Sequence, residues 1–215
     1  MACKLCAVRK PRRFCPGVGG DICSLCCGAE RENTVNCPLE CEYLREARTH
    51  ERPNPLAGAD VPNSDIRVTD EFLYTNRFLT VSVIESVLDT AFSAPGIIDF
   101  DVREALDGLV RTYRTLQSGL YYDSKPSNMM AAGIYDHVQR RIGEFRQATQ
   151  QQSGMTTVRD ADILGVLVFV QRMEFQFNNG RKRGRAFLDF LRSQGPAGQA
   201  EGPTEAQPGS SLVLP

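Results

Sequence analysis

Eight cysteines stand within the first 41 residues of a 215-residue chain, and none follows. They run Cys3-x2-Cys6-x8-Cys15-x7-Cys23-x2-Cys26-Cys27-x9-Cys37-x3-Cys41. Thiolates two or three residues apart clamp one tetrahedral Zn²⁺, and four of them close a structural site with no position left for water or substrate. Eight such ligands satisfy two ions. Disulfides are the competing use, but they need an oxidising compartment. The opening MACKLCAVRK lacks the apolar stretch of a secretory leader. The expectation is a cytoplasmic protein with two structural Zn²⁺ ions on Cys3, Cys6, Cys15, Cys23, Cys26, Cys27, Cys37 and Cys41.

Filling the sites in chain order would join Cys3, Cys6, Cys15 and Cys23 and split the Cys23/Cys26 pair. A cross-brace keeps each pair whole. Site one is then Cys3, Cys6, Cys23 and Cys26; site two is Cys15, Cys37, Cys41 and, by elimination, Cys27. Cys27 adjoins a site-one ligand. If it is only a small buried thiol, a water or a carboxylate such as Asp21 completes site two.

The run from Cys3 to Cys26 resembles the first part of B-box zinc fingers. That resemblance implies a two-zinc cross-brace that mediates protein contacts. B-boxes close with histidines where this chain has Cys37 and Cys41, and Val18 stands where many of them carry a further ligand. The segments Ile22-Cys-Ser-Leu-Cys-Cys-Gly-Ala-Glu-Arg, Asn36-Cys-Pro-Leu-Glu-Cys-Glu-Tyr-Leu and Arg111-Thr-Tyr-Arg-Thr-Leu-Gln-Ser-Gly-Leu-Tyr-Tyr are similar to a group of uncharacterised bacterial proteins. This likeness implies an N-terminal cysteine-rich zinc module before a C-terminal helical domain, and no known activity.

The elements that position the cysteines follow from local pattern. Pro38 suits a first helical position, and Glu40 and Glu42 suit the positive helix start. A helix there sets Cys37 and Cys41 one turn apart. The expected module spans 1–51. Residues 52–65, with Pro53, Pro55, Gly58, Pro62 and Asn63, read as a linker or an extended crossing segment.

Residues 66–193 read as an all-α domain of four to five helices. The first spans Asp70–Phe92. The second follows Asp99 or Asp101 as cap and buries Val102, Ala105, Leu106, Leu109, Val110, Tyr113, Leu116 and Leu120. The third is capped by Ser127 or Asn128 and buries Met130, Ile134, Val138, Ile142 and Phe145, with a polar turn from Gln147 to Thr156. The fourth, Val158–Asn178, opens on a Thr157/Asp160 capping pair, and its run Ile163–Val170 is apolar all round, as in a central buried helix. A short helix, Arg185–Arg192, is last. Residues 194–215 have the composition of a disordered tail.

Twenty-five basic and 26 acidic residues leave a net charge of -1, which argues against bulk electrostatic binding to nucleic acid or membrane. No apolar run is long enough to span a bilayer. Two basic clusters stand apart: Arg9, Lys10, Arg12 and Arg13, and Arg181, Lys182, Arg183 and Arg185. A Gly-rich phosphate loop, a Gly-x-Ser-x-Gly elbow and a Glu-x-x-His di-iron motif are all missing. The two histidines, His50 and His137, suit surface or packing roles. The expected function is non-enzymatic: a zinc-binding adaptor that contacts a partner protein. The alternative is a nucleic-acid-binding regulator using clusters 9–13 and 181–185. The sequence carries no signal for an oligomeric state.

Overall fold

The computed structural model describes residues 2–56, 60–94, 96–154 and 158–194. The expected tail lies outside these residues, apart from Gln194. The N-terminal part holds β1 (Arg13–Cys15), β2 (Gly20–Ile22), α1 (Ser24–Glu30) and α2 (Glu42–Arg48). β1 and β2 form an antiparallel hairpin in which Arg13 faces Ile22 and Cys15 faces Gly20. Its turn needs a left-handed residue, which Gly19 supplies at φ 62°. The helix expected to begin at Pro38 begins instead at Glu42, with Cys41 as its N-cap. Cys37 and Cys41 therefore do not share a helix. Neither the hairpin nor α1 was expected, since three-residue strands and a seven-residue helix show almost no period.

The remaining described residues form α3 (Asp70–Thr75), α4 (Arg77–Ser93), α5 (Asp99–Gln117), α6 (Met129–Ser153), α7 (Asp160–Phe177) and α8 (Ala186–Gln194). That is six helices where four to five were expected. The extra one arises because the segment expected as a single helix breaks at Asn76, whose φ and ψ of -99° and 18° close α3 and open α4. The break lays Phe72 over Gly165 of α7. A Cβ on Gly165 would sit 2.4 Å from the Phe72 ring, so only glycine admits this crossing.

α7 is the central helix, as its apolar run implied. Ile163, Leu164, Val166, Leu167, Val168 and Val170 are all buried. It packs on α4, α5 and α8, while α6 packs on α4 and α5. The α5 stripe is buried from Val102 to Tyr113. Leu120 is exposed, because α5 ends at Gln117 and Gly119, at φ 76°, turns the chain away. Backbone bonds from Gly119 to Leu116 and from Leu120 to Thr115 close that end as a Schellman motif. α6 is capped by Asn128, whose side chain accepts from the Met130 N–H at 3.0 Å. Ile134, Val138 and Ile142 are buried as expected, but Met130 is exposed. α6 also runs through the stretch expected as a polar turn, to Ser153, and closes on left-handed Gly154. Gln and Ala are good helix formers, so propensity extends the helix where periodicity stops. Thr157, expected to cap α7, lies outside the described residues.

On either side of residues 57–59, the segment 52–65 is tied to α7. Asn54 N–H donates to Gln176 O at 2.7 Å. Arg172 donates to the carbonyls of Pro62, Asn63 and Ile66. No helix among the described residues is long and apolar enough to cross a membrane.

Candidate metal centre

Cys3 and Cys6 stand on a tight turn. The Ala7 N–H donates to Cys3 O at 2.8 Å, and Ala7 takes a positive φ of 55°. Lys4 N–H donates to Asp21 O at 3.0 Å, which ties this turn to β2. β2 runs directly into Cys23, the N-cap of α1, and Cys26 follows within the first turn of that helix. The hairpin thus carries the chain back so that the second pair meets the first.

The four sulfurs of Cys3, Cys6, Cys23 and Cys26 lie within 4.8 Å of one another. Tetrahedral zinc–thiolate bonds place neighbouring sulfurs about 3.8 Å apart, so this set needs only a small contraction to hold one metal ion. Cys3 and Cys23 are buried; Cys6 and Cys26 are half-buried. Backbone N–H groups already serve the sulfurs: Cys23 N–H donates to Cys3 Sγ at 3.2 Å, and Cys26 N–H to Cys23 Sγ at 3.4 Å. Such donors favour thiolates. The Cys3 thiol is lowered to about 6, chiefly by the backbone N–H of Cys6. Cys23 is lowered too, first by the Cys26 N–H. Cys26 goes the other way, to about 12, mainly through its hydrogen bond with the Cys23 sulfur. Four thiols this close cannot all ionise unaided; a bound dication supplies the missing positive charge and displaces the protons.

The other four cysteines are arranged differently. Cys15 and Cys37 are buried in a small apolar cluster with Ile22, Val35, Leu39 and Leu44, and Cys27 and Cys41 pack on its edge. Burial is the main cause that raises the Cys37 thiol; the Glu32 N–H opposes it, and the nearby charges of Glu32, Cys15 and Cys41 add to it. The sulfurs of Cys15, Cys27, Cys37 and Cys41 do not come within the mutual reach shown by the first four. Cys27 Sγ faces two guanidiniums instead, Arg13 Nη1 at 3.7 Å and Arg31 Nη2 at 3.9 Å. His50 is exposed. His137 lies beside Arg140.

One residue with no sequence signal joins the module to the helices. Glu32 is 1% exposed and holds a left-handed φ of 52°. Its carboxylate accepts from Arg48 Nη2 at 2.7 Å, Asn179 Nδ2 at 2.8 Å and the Arg185 N–H at 3.0 Å. Its carbonyl accepts from the Arg183 N–H at 2.7 Å. Arg48 pairs in addition with Asp189 of α8. Arg181 donates to Arg31 O at 2.6 Å. Arg181 and Arg185 of the second basic cluster are therefore half-buried at this junction, while Lys182 and Arg183 have exposed side chains. In the first cluster Arg13 alone is half-buried. Arg9 is exposed, and the nearby Cys23 sulfur raises its guanidinium above the ordinary range. Arg13 lies over the Tyr43 ring at 4.0 Å. Lys10 and Arg12 are exposed.

No protein-family model matches the chain, and neither a curated protein nor a solved structure resembles it significantly.

Proposed function

We propose that this chain is a non-enzymatic adaptor in which structural zinc fixes an N-terminal module that contacts a partner protein. The four-thiol cluster of Cys3, Cys6, Cys23 and Cys26 carries this reading. An all-sulfur tetrahedral set selects zinc over hard cations and leaves no open position for chemistry. A module of this size builds too small an apolar core alone, and a metal replaces that core. The same reading gives a second Zn²⁺ to Cys15, Cys37 and Cys41, with Cys27 as fourth ligand, the sulfurs drawing together on loading. Native mass spectrometry of protein made in zinc-supplied cells tests it. Two ions per chain are expected; one ion overturns the second site, and none, with four disulfides, overturns the zinc reading as a whole.

The contact surface in this reading is the loop around Lys10 and Arg12, whose side chains support nothing else. Lys10→Glu with Arg12→Glu should keep the zinc content and change the proteins recovered in a pull-down. The nucleic-acid alternative draws on both basic clusters, but the guanidiniums of Arg13 and Arg181 are engaged within the protein. A titration with DNA or RNA that loses affinity steeply with salt would favour that alternative.

A further inference from the structure

Where the module meets α7 and α8, the junction leaves a cleft of about 1040 Å³. One wall is α2 with the residues after it; the other is the α7–α8 connection and α8. Five arginines line it. Three are engaged: Arg48 with Glu32 and Asp189, Arg192 with Glu40 and Asp189, and Arg181 with the Arg31 carbonyl. Arg45 and Arg52 are exposed, and neither guanidinium has an ion-pair or hydrogen-bond partner among the described residues. Beside them lie Phe177 and Phe190, half-buried, with rings stacked at 3.6 Å and 7°. The cleft thus offers two unpaired cations next to an aromatic surface.

The charges of the wall discriminate among ligands. Glu40 and Glu51 also line the cleft. A phosphate backbone, with a charge on every unit, would meet these carboxylates as well as the arginines. A peptide can place isolated carboxylates on Arg45 and Arg52 and lay an apolar side chain on the rings. We propose that this cleft binds an acidic peptide segment of a partner protein, its carboxylates on Arg45 and Arg52 and its apolar anchor on the Phe177–Phe190 pair. This proposal rests on the adaptor reading above and names the chemistry of the partner.

The test is selection from a random short-peptide display library on the full, zinc-loaded chain, with single-stranded oligonucleotides as a parallel probe. Recovered sequences should pair Asp or Glu with Leu, Ile or Phe. A synthetic peptide of the enriched sequence should bind more weakly as salt rises. Arg45→Glu with Arg52→Glu should weaken it about tenfold or more, because each like-charge contact opposes docking. The Lys replacements at both positions should keep most of the affinity. Unchanged zinc content and circular dichroism would show that the reversed variant is folded. Enrichment without acidic residues, binding unaffected by the reversal, or capture of oligonucleotide in place of peptide overturns the proposal. If peptide binding instead depends on Lys10 and Arg12, the cleft is wrong and the adaptor reading stands. If no peptide is enriched, the cleft falls, and the pull-down decides the adaptor reading separately.

Discussion

Cys23 caps α1 by accepting the Cys26 N–H on its sulfur, and its backbone N–H donates to the Cys3 sulfur. Because it meets Cys3, Cys23→Ser and Cys3→Ser should remove the same ion, whereas Cys15→Ser should leave that ion in place. Native mass spectrometry with zinc, or cobalt absorption in each variant, reads the outcome; loss of one common ion on Cys3→Ser and Cys15→Ser would overturn the partition. Asp99 gives a second residue-level test. It is buried and accepts from the Phe187 and Leu188 N–H groups, at 3.0 and 3.1 Å. Burial pushes its carboxyl up to about 7. The sign follows from linkage: between the unfolded value near 3.8 and about 7, only the folded state holds the proton, so this group makes stability fall as pH rises. Carbon-13 NMR of the Asp99 carboxyl should show a midpoint far above that of exposed aspartates. A midpoint below 4 would mean that the two backbone donors outweigh burial.

Among the elements, Gly165 is the position where a small change should cost most. Gly165→Ala drives a Cβ into the Phe72 ring, and overpacking of this kind costs about 1–3 kcal/mol. Urea unfolding should show that loss, and Phe72→Leu in the same chain should recover part of it; additive losses would mean that the two residues do not meet. The long helices were legible because their apolar stripes repeat: Val102 to Tyr113, Ile134 to Ile142, and the all-round run of α7. The cross-brace pairing of Cys3, Cys6, Cys23 and Cys26 was legible because CxxC pairs are local. What brings the two pairs together was not, since the hairpin between them rests on two three-residue strands and one glycine turn. Nor was the break at Asn76, which depends on Phe72 reaching a helix distant in sequence. Glu32 lay among other charged residues, and only its burial by Arg48, Asn179 and Arg185 distinguishes it.

At the scale of the molecule, two cores meet at a polar junction centred on the buried Glu32 carboxylate. The helical core is formed by α4 to α8 without any cysteine. Chelation of zinc should therefore leave most of the helical circular dichroism and raise hydrogen exchange in the module and in residues 183–189. Collapse of the whole helical signal would show that the two cores fold as one. Glu32→Ala leaves Arg48, only 11% exposed, with Asp189 and the Arg185 carbonyl, and leaves Asn179 and the Arg185 N–H without that acceptor. Arg48 keeps a charge partner, so the loss comes from the donors left without Glu32, about 1–3 kcal/mol for each buried one. Urea unfolding of the zinc-loaded chain should show that loss, with zinc content unchanged.

The contact between Glu32 and the Arg185 N–H spans 153 residues of chain. Polypeptides are made at roughly 5–20 residues per second, so the carboxylate waits about 8–30 s after its own synthesis before its last partners exist. During that interval all eight cysteines have been made and the helices that dock on Glu32 have not. On the zinc reading proposed above, zinc supplied during translation should bring more of the chain to the docked form than zinc added afterwards.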